Sequence, residues 1–325
     1  MISHYELMER SIPEWFGAEP FDKQQFLKNN KKIFERRGLL TTTLASFDTA
    51  TQITYFDLEG RVSNKFIKTT PNLLEFGGKK IIDLRDEFDA VLLLTHPGVN
   101  IYGHWLIDIA PVLSMFECFF QDLSYAVAIP DGSPDWVLNL LNNLPFKFKQ
   151  VMRVGVEEVV FGNLFFSTEL RIHDYLSSFI SKCYLKFSAK AIGDSKLYIS
   201  RQGLGAGYRQ LINCEEVERL FESRGFELYR PEAETIEAQI EKFAGVRFLA
   251  GEAGSGMHNS LFCPSASKVI NIQSSRQNHF IQAGLCRQVG QECTYVFGHA
   301  ESDDWNAAFS VDLNALEAAL NVLGL

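Results

Sequence analysis

From residue 196 onward, short apolar runs alternate with amphipathic segments, and few folds accommodate that rhythm. "KLYISR" (196–201), "FELYRP" (226–231), "VRFLAG" (246–251), "KVINIQ" (268–273) and "CTYVFG" (293–298) have the length and the β-branched or aromatic content of strands. Between them lie "CEEVERLFESRG" (214–225) and "ETIEAQIEKFAG" (234–245), two helices each closed by a glycine, and further helices over 256–263 and 277–288. "LNALEAALNVL" (313–323) is a terminal amphipathic helix, apolar at Leu313, Leu316, Ala319, Leu320 and Leu323. Strands buried on both faces read as continuous apolar runs, so the pattern predicts a doubly wound parallel sheet.

The first half follows a looser version of the same plan. "AVLLLTH" (90–96) reads as a buried strand, followed by an amphipathic segment over 104–120, the strand "YAVAIP" (125–130) and the helix "DWVLNLLNNL" (135–144). A strand near "EEVVFGNLFF" (157–166) and a helix over "HDYLSSFISKCYLKF" (173–187) complete it. Upstream, "LLTTTLASF" (39–47) and "TQITYFDLEGRV" (51–62), with Gly60 as a turn, form a β-rich N-terminal extension. Periodicity lapses in "SAKAIGDS" (188–195), which places a domain boundary there. The expected fold is therefore α/β, with Rossmann-like domains over 1–190 and 191–325 facing a cleft.

Bulk properties restrict the partners. The chain has 325 residues, 46% of them hydrophobic, enough for two cores. A formal net charge of −9 disfavours nucleic acid and anionic membranes. The one dense basic cluster, "NNKKIFERR" (29–37), reads as a solvated helix face. "FECFF" (116–120) offers a peripheral membrane contact, although burial in the core explains it more simply. No stretch resembles a signal peptide or approaches about 18 uninterrupted apolar residues. The six cysteines make no CxxC and no zinc spacing, so the expectation is reduced thiols in the cytoplasm.

Three stretches could carry chemistry. In "GEAGSGMHN" (251–259), glycines pass from a strand into a helix whose N-terminal amides suit a phosphate, with Ser255, His258 and Asn259 as added hydrogen-bonding groups. The same residues read equally well as a tight turn with a cap. Asn259 stands where a dinucleotide fingerprint needs its third glycine, and the next strand offers Asn271 rather than an acid, which argues against NAD. Ala253 and Met257 around Ser255 argue against a nucleophile elbow. In "HPGVNIYGHWLIDIAPVLSMFE" (96–117), His104 and Asp108 fall on one face of a helix just past a strand's carboxyl end, where a base and its partner could sit. The alternative is a core or cap role for His104 and Trp105. In "YISRQGLGAGYRQLINCEEV" (198–217), Arg201 and Arg209 could clamp phosphate oxygens or lie on the surface.

In this order, the three stretches resemble family-61 glycosyltransferases. Asn100, His104, Trp105, Asp108 and Pro111 fit the family's Asn and His-aromatic-x-x-Asp block; Ser200, Arg201, Arg209 and Asn213 fit its Ser-Arg strand end. Gly225, Phe226, Glu227, Pro231, Glu232, Gln239, Ile240 and Phe243 fit the next run, and Gly251, Gly254, Gly256, Asn259 and Phe262 the glycine loop. The sequence departs from the pattern at Ala253, where the family has a histidine, with Glu252 beside it; at Asn271, where the family has a ribose-holding glutamate; and at His258 and Cys214.

The resemblance implies a GT-B-like architecture and inverting transfer from a nucleotide sugar held by the C-terminal half. Its bacterial members add a role in surface or capsular polysaccharide synthesis, with a glycan or glycolipid acceptor at the cytoplasmic side of the membrane. The sequence contains no D-x-D, so no metal or other cofactor is expected, and the leaving diphosphate falls to arginines and helix amides. Arg201, Arg209, Glu252, Gly254, Ser255, Gly256, His258, Asn259 and Asn271 are the expected donor-binding residues. Asn100 and Trp105 lie on the acceptor side, and Asp108 is the expected base with His104 positioning. Ala253 and Asn271 leave a second reading open, a non-catalytic glycan- or nucleotide-binding relative.

Overall fold

The computed structural model describes residues 2–4, 14–18, 37–47, 53–55, 67–69, 81–83, 87–94, 96, 98–154, 158–167, 178–183, 194–202, 204, 209–277 and 279–325. The expected turn at Gly60, most of the basic cluster and most of the expected boundary segment lie outside these residues. The chain is a mixed α/β protein that divides into two compact units, one of residues 1–7 and 35–179, the other of residues 8–34 and 180–325.

In chain order the strands of the first part are β1 (Ile2–His4), β2 (Glu14–Gly17), β3 (Arg37–Phe47), β4 (Ile53–Tyr55), β5 (Ile67–Thr69), β6 (Ile81–Asp83), β7 (Ala90–Leu93), β8 (Tyr125–Pro130), β9 (Val151–Val154) and β10 (Glu158–Ser167). All but β2 build one sheet of order β5-β4-β3-β10-β7-β8-β9, with β1 on β3 and β6 on β10. It is mixed: β7, β8, β9 and β10 run parallel, while β3 lies antiparallel to β10. β7 is buried along its length and β8 as far as Ile129, as their apolar content requires of central strands. Helices α1 (Pro111–Phe119) and α2 (Asp135–Asn143) follow β7 and β8. Phe116 of "FECFF" is fully buried and packs on Tyr125 and Phe165, so its aromatic ring belongs to the core. The chain leaves β7 for β8 on one side and returns to β10 on the other, which makes the carboxyl end of β7 a topological switch point.

The second unit's sheet contains β11 (Ser195–Ile199), β12 (Glu227–Tyr229), β13 (Val246–Glu252), β14 (Lys268–Ser274), β15 (Glu292–Ala300) and β16 (Phe309–Ser310) in the order β12-β11-β13-β14-β15-β16. Its first five strands are parallel in a doubly wound order whose switch point falls between β11 and β13. β2 adds to it from the N-terminal region, running parallel to β15.

Helices α3 (Cys214–Ser223), α4 (Ile236–Ala244), α5 (Ile281–Val289) and α6 (Leu313–Val322) connect or follow these strands. The alternation of β15 decides which face each one covers. Val296 joins Val217 and Phe221 of α3 and Leu316 and Leu320 of α6 in one cluster, whereas Tyr295 and Phe297 pack with Phe280 and Ala283 at α5. Local chemistry sets the ends. Gly225 lies at φ +79° just past α3, Thr235 accepts the Ala238 N–H at the start of α4, and Asp312 accepts the Asn314 N–H at the start of α6. The segment expected as a helix after β13 is a 3₁₀-helix, Ser255–Phe262.

Candidate active site

In the first unit, the chain beyond β7 folds into a turn before its helix. Val99 N–H donates to the His96 carbonyl at 3.0 Å and Ile101 N–H to that of Gly98 at 2.8 Å. Trp105 anchors the turn: the indole is fully buried, donates to the Val99 carbonyl at 2.7 Å and meets Trp136 edge-on. The helix opens with Tyr102–His104 and widens to π-helical over Trp105–Ile109, with Ala110 N–H reaching back to the Trp105 carbonyl at 2.9 Å. Pro111, the first residue of α1, has no N–H to donate to Ile107, so an ordinary α-helical ladder cannot continue through this point.

His104 and Asp108 meet across this widened turn, Nδ1 to Oδ2 at 2.5 Å. The Asp108 side chain is fully buried and the His104 side chain 26% exposed, so the imidazole is the outward member of the pair. A carboxylate only accepts, so Nδ1 donates and a neutral ring keeps its lone pair on Nε2. Two neighbours hold the ring. The His96 ring lies 4.6 Å away, centroid to centroid, and a β-carbon at Gly98 would fall 2.1 Å from His104 Cδ2. The ligand atoms of His96, His104 and Asp108 lie within 4.8 Å of one another, a spacing a metal ion could use. The bonding suits it poorly: His96 Nδ1 accepts the Gly98 N–H at 2.9 Å, which puts the proton of a neutral ring on Nε2, its other nitrogen. Asn100 is exposed on the turn.

In the second unit, Arg201 follows β11 and the glycine loop follows β13, on either side of the switch point. The Arg201 guanidinium donates to the Ala253 carbonyl at 2.7 Å, and its backbone N–H to Glu252 Oε1 at 3.3 Å. Gly254 makes this fit possible, since a β-carbon there would lie 2.6 Å from Arg201 Nη1. The loop's glycines thus serve contacts within the protein: Gly256 likewise faces Ile199 and Pro231. No side chain caps the 3₁₀-helix that starts at Ser255. Arg209, at φ +59°, donates its backbone N–H to the Asn306 carbonyl at 3.0 Å. The Gln277 amide, oriented with its oxygen toward the guanidinium, accepts from Arg209 Nη1 at 2.9 Å. Burial, and then the charge of Arg201, lower the Arg209 pKa. Burial is also the main cause that raises Glu252 to about 7, against the opposing pull of Arg201. Beside Ser200, Tyr229, Arg230, Glu234 and Lys242 line a hollow of about 650 Å³.

The structure therefore brings Arg201, Glu252 and Gly254 together, with Ser255 and Gly256 next in the loop, while Arg209 is held by Asn306 and Gln277 within reach of the Arg201 charge. The other expected donor residues bond inward. Asn259 is fully buried and donates to Gln239 at 3.1 Å, Asn271 is buried and donates to Gln273 at 3.3 Å, and His258 Nδ1 lies 3.1 Å from Gln282 Oε1. Sequence reasoning passed over His96, Gly98 and Gln277. The "HPG" directly after an apolar strand was a readable signal for the first two; nothing in the sequence points to Gln277.

Two sheets, one presenting an imidazole–carboxylate pair and the other Arg201 against a glycine loop, make up a mixed α/β protein. The glycosyltransferase 61 family model matches residues 102–270, just over half of the chain and both sets of residues, and the protein belongs to that family. No curated protein matches the chain. Among the described residues no helix is long and apolar enough to cross a membrane.

Proposed function

We propose that the protein is an inverting, metal-independent glycosyltransferase. It takes a sugar from a nucleotide-sugar donor and places it on a hydroxyl of a glycan or glycolipid, in surface or capsular polysaccharide synthesis on the cytoplasmic side of the membrane. The architecture on this reading is GT-B-like. The observation that carries the donor assignment is the part-buried Arg201 guanidinium, seated on the Ala253 carbonyl against Gly254 at an uncapped helix terminus, with Arg209 close enough to feel its charge. Such a pair attracts an anion, and a diphosphate matches its charge and forked donors.

In the reaction, the acceptor hydroxyl gives its proton to His104 Nε2 as its oxygen forms the new bond to the anomeric carbon. The bond from that carbon to the diphosphate oxygen breaks, and its electron pair leaves with the nucleotide. Attack from the opposite face inverts the anomeric centre. Arg201, Arg209 and the amides of Ser255 and Gly256 offset the charge that grows on the leaving oxygen. Burial favours His104 over Asp108 as the base: the carboxylate is enclosed and bonded to Nδ1, so its role is to orient the ring and stabilise the imidazolium. Asn100, exposed on the turn beside them, serves the acceptor, and Trp105 supports it from the core.

The test is transfer from a panel of nucleotide sugars to bacterial glycan and glycolipid extracts, with chelator present, for wild type, His104→Gln and Arg201→Ala. The proposal expects chelator-resistant turnover that both substitutions lower at least tenfold. Unchanged turnover in either variant removes that residue's role. One observation favours the non-catalytic reading: Asn271, in place of an acid, is buried against Gln273. Nucleotide binding by calorimetry with no turnover on any acceptor would establish it.

A further inference from the structure

Beyond the two arginines, the carboxyl edge of the second sheet carries an aromatic group that stays exposed. Trp305, in the loop between β15 and β16, keeps 41% of its surface exposed, whereas the other large aromatics of this unit's cores are buried. Its surroundings form a closed circuit with Arg209. The Asn306 carbonyl, one residue on, accepts the Arg209 backbone N–H. The Gln277 amide accepts from the Arg209 guanidinium. His279, two residues past Gln277, places its ring 5.7 Å from the Trp305 indole at 44°. Arg276 and Asp303 form an ion pair that ties the same two loops together. The indole is thus fixed relative to a group that the proposed reaction assigns to phosphate.

The spacing fits one ligand. Arg201 and the glycine loop mark the ends of β11 and β13, and Trp305 follows β15, two strands further along the edge. Neighbouring strands are about 4.8 Å apart, so the carboxyl end of β15, with Trp305 in the turn just beyond it, is offset from that of β13 by roughly 10 Å. That is the reach of a nucleoside diphosphate from its phosphates to its base, and an exposed indole suits the flat face of a base.

We infer that Trp305 is the platform on which the donor's nucleobase stacks, with Arg209 linking base and diphosphate subsites. This rests on the donor reading above. Trp305 discriminates a nucleotide from a bare diphosphate, and Gln277 and His279 hold the two halves of the subsite in register.

The test is calorimetry with UDP, ADP, CDP and GDP, and with inorganic pyrophosphate as the fragment that lacks a base. Wild type should bind at least one nucleoside diphosphate more tightly than pyrophosphate. Trp305→Ala should weaken that nucleotide about 5- to 150-fold, the range that loss of one base stack gives, and leave pyrophosphate within twofold. Trp305→Phe should retain most of the affinity, and Arg209→Ala should weaken both ligands. Unchanged nucleotide affinity in Trp305→Ala overturns the platform, as does an equal loss for pyrophosphate; in both cases the arginine site stands. If wild type binds neither ligand, the donor reading fails and the platform with it.

Discussion

Gly98 and His104 fit together with no room for a methyl group: a β-carbon on Gly98 would lie 2.1 Å from Cδ2 and 2.8 Å from Nε2 of the imidazole. The space glycine leaves is what allows the ring to face outward from its bond to Asp108. Gly98→Ala should therefore leave the fold intact and turn the ring aside. Turnover is expected to fall about 10- to 100-fold, since a displacement near 1 Å at a reacting group has that effect. Steady-state kinetics beside a circular-dichroism melt separates this from general damage; wild-type turnover in a folded Gly98→Ala protein argues against His104 as the base.

Asp108→Asn keeps the shape of the pair and changes its protons. An amide can donate to Nδ1, which moves the ring proton to Nε2 and removes the proposed acceptor site. Turnover should drop by roughly two to four orders of magnitude, with donor affinity unchanged. Parallel measurement of kcat and nucleotide binding checks both halves of this prediction, and a matching loss of binding would mean that Asp108 has a broader structural role.

Glu252 makes stability depend on pH. Its carboxyl is raised to about 7, so the folded protein holds this proton more tightly than the unfolded chain, where an ordinary carboxyl releases it near 4.5. The resulting stabilisation is complete below about pH 4.5 and disappears as pH rises through 7. Its size is on the order of 3 kcal/mol. Glu252→Gln should match wild type at pH 5 and melt at a higher temperature at pH 8. Pyrophosphate affinity in wild type should fall above pH 7, where the ionised carboxylate competes for Arg201, and the variant should lack that fall. Identical pH profiles for the two proteins would exclude a titrating Glu252.

Asn213 has a structural task that its place in the family pattern does not reveal. Its amide donates to the Val311 carbonyl at 2.9 Å and accepts the Val311 N–H at 3.1 Å, fixing the start of α3 to the segment before α6. Asn213→Ala loses both bonds and should cost about 2 kcal/mol, read as a lower urea midpoint with unchanged slope. Asn213→Asp keeps the acceptor alone and should fall between the two.

What the sequence disclosed depended on the range of the interactions. The strands after 196 were readable because each is a short, largely apolar run, and the ends of α3 and α4 because Gly225 and Gly245 lie just past them. The His104–Asp108 pairing was found from a four-residue spacing, but on the assumption of an α-helix; the π-helical turn depends on Pro111 and on how Trp105 docks, which no periodicity carries. Arg201 and the glycine loop were legible as separate motifs. Their contact was not, because a parallel sheet brings together residues some fifty positions apart. The inward bonds of Asn259 and Asn271 were hidden for a related reason: a polar residue in a loop or strand shows nothing of its buried partner until the fold is known.

The path of the first 34 residues has a practical consequence. Residues 1–7 group with one unit and 8–34 with the other, and β2 occupies part of the flank of β15. No single cut in the polypeptide separates the units cleanly. A fragment beginning at residue 180 would expose backbone donors and acceptors along β15, inviting self-association through that edge. Co-expression with a peptide spanning 8–34, or its fusion ahead of residue 180, is the way to obtain this unit by itself.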